Sequence, residues 1–98
     1  MTEVVIDVQR NHYVITARDH ADDPTVCAGV SALIYMISGC ALNHNAKIKI
    51  MKLEDGDAEL DFVSHESRML EDTKALAIGL LQIELGYPKN LRVVQNVI

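Results

Sequence analysis

The sequence has no tryptophan, one phenylalanine, two prolines and two cysteines in 98 residues. Cys27 and Cys40, thirteen residues apart, supply neither a disulfide framework nor a zinc-ligand spacing, so each cysteine needs its own explanation. Basic clusters are also missing. With 9 Lys and Arg against 14 Asp and Glu, the net charge of −5 lacks the electrostatic footprint of phosphate-backbone binding, and no nucleic acid is expected as a direct partner. The start, Met1-Thr2-Glu3-Val4-Val5, is acidic where a secretory leader would be basic, and its apolar run stops at Asp7. A cytoplasmic protein is the expectation. Repeats, low-complexity tracts and linkers are absent as well, which reads as a single domain over residues 1–98.

What the sequence does have is one long uncharged run, residues 26–42, close to the minimum length for crossing a bilayer. Gly29, Ser31, Ser38 and Gly39 interrupt it, no Lys or Arg flanks it closely, and it ends in Asn43-His44-Asn45. It reads as a helix buried on more than one side, without a membrane role. Around it, residues 3–10 alternate with Val4, Ile6 and Val8 on one face, and residues 13–18 alternate similarly across an Asn11-His12 turn, giving a hairpin. The helix start is marked either by Asp23 with Pro24 in the first helical position or by Thr25 one turn later.

For the next strand pair, a two-residue Asp55-Gly56 turn would set Ile50 opposite Asp61, mixing apolar and charged residues. A three-residue loop, Glu54-Asp55-Gly56 with Gly56 left-handed, pairs Ile50 with Leu60, Ile48 with Phe62 and Lys49 with Asp61, and is the expected register. A second helix from Ser64 or Ser67 carries Met69, Leu76, Leu80 and Ile83 on one stripe, with Leu70, Ala77, Leu81 and Glu84 beside it. Gly86 and Pro88 end it, and residues 91–98 form a last strand. The expected fold is therefore α+β: a mostly antiparallel sheet of about five strands with two helices, in the order ββαββαβ. The apolar girth of the first helix exceeds what the sheet alone covers, and a homodimer is expected.

Chemistry concentrates at one place. His20 closes a strand and Cys27 opens a helix seven residues later. A thiol in a first helical turn lies near unpaired N–H groups and the positive end of the helix dipole, which favour thiolate. A histidine in reach acts as its base and then protonates a leaving amine. Amides of Cys27, Ala28 or Gly29 are candidate oxyanion donors, and Gly29 would admit a substrate backbone. Ser31 stands one turn on, as a donor to the site or as a small packing residue. Asp22 and Asp23 are candidates to orient His20 or to serve as cap and dipole partners. Cys40 lies well around the helix and reads as a packed side chain. His12, His44 and His65 have no third ligand at a metal spacing, so no metal and no cofactor is assigned.

Asp19-His20-Ala21, followed by Val26-Cys27-Ala28-Gly29-Val30-Ser31-Ala32-Leu33, resembles the ribosomal-processing cysteine proteases called Prp, whose pattern is Gly-His-Ala, a loop and a Cys-Ala-x-x-Ser-Ala helix start. The resemblance implies a dimeric endopeptidase that removes an N-terminal extension from a large-subunit ribosomal protein, with relatives acting on phage structural proteins. By position it makes His20 the catalytic histidine, Cys27 the nucleophile and Ser31 the serine of the same helix. It also implies that residues 21–26 form a mobile lid over bound peptide, with Asp23 taking the place of an acidic residue before the cysteine. Two positions depart from the pattern: Asp19 replaces the motif glycine, and Pro24 stands where long-lid members carry an acid. Asp tolerates positive φ better than most residues, so the fold is expected to survive the first departure. The alternative is a non-catalytic, dimeric homologue that binds a peptide or ribosomal protein.

Overall fold

The computed structural model describes residues 1–97, in the order β1 (Thr2–Gln9), β2 (His12–Arg18), α1 (Pro24–Asn43), β3 (Lys47–Glu54), β4 (Asp57–Val63), α2 (Ser67–Gly86) and β5 (Leu91–Val97). The last expected strand position, Ile98, lies outside the described residues. The strands form one sheet in the order β3-β4-β2-β1-β5, antiparallel except for the β1–β5 pair. The expected α+β class and element order are therefore what the chain adopts.

Both helices cover one face of this sheet. Val4, Ile6 and Val8 of β1, Ile15 of β2, and Leu60 and Phe62 of β4 point into the core, where Val26, Ile34 and Ile37 of α1 and Met69, Leu76 and Leu80 of α2 meet them. Tyr13 stacks on Phe62 there, with ring centroids 5.0 Å apart and planes at 7°. The opposite face is open, as antiparallel sheets permit. By length and composition α1 is apolar enough to cross a membrane; here one side of it is core. Its end is a Schellman motif: Asn45 is left-handed at φ 54, Ala46 N–H donates to the Ala41 carbonyl at 2.9 Å, and Asn45 N–H donates to the Leu42 carbonyl at 3.1 Å.

Two details of register differ from expectation. The first hairpin turns at Arg10-Asn11 rather than Asn11-His12, pairing Gln9 with His12 and placing Arg10 at φ 60. The second hairpin uses the two-residue Asp55-Gly56 turn after all, so that Glu54 pairs with Asp57 and Ile50 does face Asp61. A bulge between Ile48 and Ile50 then shifts the register, and Ile48 meets Phe62 as expected. One extra residue thus lets Ile48, Met51 and Leu53 all pack on the core.

The helices meet closely through glycine. A Cβ at Gly29 would stand 3.2 Å from Ile83 Cδ1, and one at Gly79 would stand 3.2 Å from Leu33 Cδ1. Each helix thereby offers a gap to a large side chain of the other. Glu84, an acid beside the apolar stripe of α2, accepts from the Val93 N–H of edge strand β5 at 2.6 Å, which satisfies a donor no further strand would pair.

Candidate active site

A cleft of about 160 Å³ lies between the start of α1, the end of β2 and the tip of the β3–β4 hairpin, and His20, Cys27 and Ser31 all line it. Its geometry begins where β2 ends. The chain turns at Asp19 with φ 70, a left-handed conformation suited to glycine and tolerated by aspartate, which fits the place of a glycine in the motif. The corner is held on two sides: Asp19 N–H donates to the Gly56 carbonyl at 2.9 Å, and the Asp19 carbonyl accepts from Thr2 Oγ1 at 3.1 Å. His20 follows directly.

The next segment, expected as a free lid, is tethered. The N–H groups of Asp22 and Asp23 both donate to Asn90 Oδ1, at 3.1 and 3.2 Å, and Ala21 is buried. Asp23 is the N-cap, its Oδ1 accepting from Thr25 N–H at 2.9 Å, with Pro24 opening the helix. Of the two starts the sequence left open, the first is the one used. It also commits the Asp23 carboxylate to the helix end rather than to His20.

Cys27 is the fourth helical residue and half-buried. Its N–H donates to the Asp23 carbonyl at 3.3 Å, so this amide is engaged. Ala28 and Gly29 sit deeper in the helix, where N–H groups bond back four residues, and neither lines the cleft. Gly29 turns toward Ile83 of α2, so its missing side chain serves helix packing and not substrate approach. The oxyanion donors expected at Cys27, Ala28 and Gly29 are therefore occupied by the helix itself. The Cys27 thiol donates to the Ala21 carbonyl at 3.4 Å.

The imidazole of His20 rests on the hairpin. Its Nδ1 is 3.8 Å from Asp55 Oδ1, too far for a hydrogen bond and close enough for charge attraction. The side chain is 58% exposed and shares no hydrogen bond with the thiol in this arrangement, although both groups face the same cleft. Of the other acids in the cleft wall, Glu54 is paired with Lys52 at 3.2 Å, and Asp57 is paired with Arg18 and Lys52. Reading the sequence missed Asp55 and Gly56 as site residues, because their contact with His20 depends on the hairpin register.

Cys40 belongs elsewhere. It lies near the His44–Asp72 pair, which spans α1 and α2 at 2.7 Å, and burial followed by the nearby Asp72 carboxylate pushes its thiol pKa up. Among the described residues, no group of three His, Cys, Asp or Glu side chains is arranged to hold a metal ion.

No protein-family model matches this chain, and no curated protein matches it by sequence. Solved structures do. The ribosomal processing protease Prp from S. aureus, in complex with a covalently linked product peptide, is 21% identical with a TM-score of 0.82, over 98% of this chain and 100% of that one. The same protease with a substrate peptide gives 20% identity and a TM-score of 0.73, with the same coverage. The protein SMU.848 from Streptococcus mutans is 14% identical with a TM-score of 0.75, over 100% of this chain and 96% of that one. Along almost its whole length, therefore, this chain has the fold of the Prp ribosomal processing protease.

Proposed function

We propose that the chain is a cysteine endopeptidase in which Cys27 is the nucleophile and His20 the base. The observation that carries this reading is the placement of both side chains on one cleft, the thiol at the start of α1 and the imidazole at the end of β2. In the reaction, His20 takes the Sγ proton and sulfur attacks the peptide carbonyl. Collapse of the adduct breaks the C–N bond, the departing amine receives the proton from His20, and water hydrolyses the thioester. At rest the thiol donates to the Ala21 carbonyl, so passing its proton to the imidazole requires a side-chain rotation. Ser31, one turn after Cys27, supports the site from the cleft wall.

The substrate proposed is the N-terminal extension of a large-subunit ribosomal protein or of a phage structural protein, handled in the cytoplasm by a homodimer. Its support is the fold shared with a ribosomal processing protease and the motif around His20 and Cys27. Incubation with the ribosomal precursor, read by intact mass, tests it. Wild type is expected to shorten the precursor, with Cys27→Ser and His20→Ala inactive. Iodoacetamide is expected to label Cys27 ahead of Cys40, whose proton is held more tightly. Cleavage undiminished in Cys27→Ser would refute the assignment. The resting separation of thiol and imidazole favours a second reading, a peptide-binding relative without catalysis; binding of the precursor without shortening would select it.

A further inference from the structure

The tip of the β3–β4 hairpin holds His20 in two ways. A Cβ built on Gly56 would stand 2.4 Å from Nε2, 2.8 Å from Cε1 and 2.9 Å from Cδ2 of His20, so the ring occupies the space where any side chain would begin. The left-handed φ of 71° at Gly56 would be satisfied by asparagine as well, but its Cβ would push the ring out of this place. Beside it, the Asp55 carboxylate faces Nδ1 at 3.8 Å from a side chain 97% exposed. The Gly56 carbonyl, accepting from Asp19 N–H at 2.9 Å, ties this turn to the residue just before the histidine.

We propose that the Asp55-Gly56 turn is the positioning element for His20, an inference that rests on the Cys27–His20 reading above. Gly56 is the seat of the ring. Asp55 draws the proton-bearing Nδ1 toward itself, leaving the lone pair on Nε2. When the Sγ–H bond breaks, the proton passes to Nε2, and the positive charge then spread over the ring is faced by the Asp55 carboxylate. Neither residue touches the thiol or the reacting carbonyl.

The test uses Gly56→Asn, which keeps a left-handed turn but fills the seat, together with Asp55→Asn and Asp55→Glu. Cys27 alkylation by iodoacetamide at neutral pH, resolved from Cys40 by peptide mass, needs no substrate. Gly56→Asn is expected to slow it about tenfold or more with melting temperature near that of wild type. Asp55→Asn is expected to slow it about two- to fivefold, the size of an exposed charge pair, with recovery in Asp55→Glu. In wild type, nuclear Overhauser contacts from the His20 ring to the Gly56 α-protons should be present. Unchanged or faster alkylation in a folded Gly56→Asn, or missing ring contacts in wild type, overturns the proposal. If Gly56→Asn does not fold, the ring contacts and the Asp55 pair decide. Failure of the protease reading shows separately, as cleavage that survives in Cys27→Ser.

Discussion

At the scale of single residues, burial changes how tightly protons are held at two places, Tyr13 and Cys40. Burial raises the Tyr13 phenol above its ordinary 10.0, and burial with Asp72 raises the Cys40 thiol above 9.0. An unfolded chain releases both protons at the ordinary values, whereas the folded chain retains them to higher pH. Stability from these groups is therefore complete below those values and declines as pH rises through them. Melting temperature is expected to fall above about pH 9, and Tyr13→Phe to flatten the upper part of that fall; parallel curves for the two proteins would contradict this. Legibility at this scale follows sequence separation. His20 and Cys27 flank one short loop, and their shared cleft was readable from spacing. Asp55 lies far along the chain and meets His20 only through strand pairing, which no local pattern announces.

At the scale of elements, the β3–β4 hairpin shows where pairing logic falls short. Matching apolar residues across the strands favoured a three-residue loop, whereas the chain forms the tight turn and corrects its phase with a bulge. The open face of the sheet makes this inexpensive, since Ile50 opposite Asp61 sits where no core demands an apolar pair. Lys49 is the residue skipped in the pairing. Deleting it joins Ile48 to Ile50 in unbroken alternation, so the fold is expected to persist with melting temperature changed by only a few degrees. Deleting Ile50 together with Lys49 instead brings Lys47 to the inward position opposite Phe62 and is expected to unfold the hairpin. Equal loss in both deletions, followed by circular dichroism, would show that the bulge is not what sets the phase. The elements themselves were readable because their periodicities are long and clean, and α1 begins at the cap and proline its sequence displays.

At the scale of the whole molecule, the helical layer leaves Met36 and Leu42 of α1 and Ile78 and Leu85 of α2 exposed. Singly such residues are ordinary; on two packed helices they motivate the proposed dimer. Sedimentation at tens of micromolar is expected to report a dimer, and Ile78→Glu with Leu85→Glu a monomer. A wild-type monomer at that concentration would remove the dimer from the account. The parallel pairing of β1 with β5 has a practical consequence for anyone handling the protein. Because Thr2 is itself part of the cleft wall while Val97 ends β5 alongside Val8, at the far end of β1, an affinity handle fused ahead of Met1 would emerge beside the thiol, and one fused at the other terminus would leave it clear.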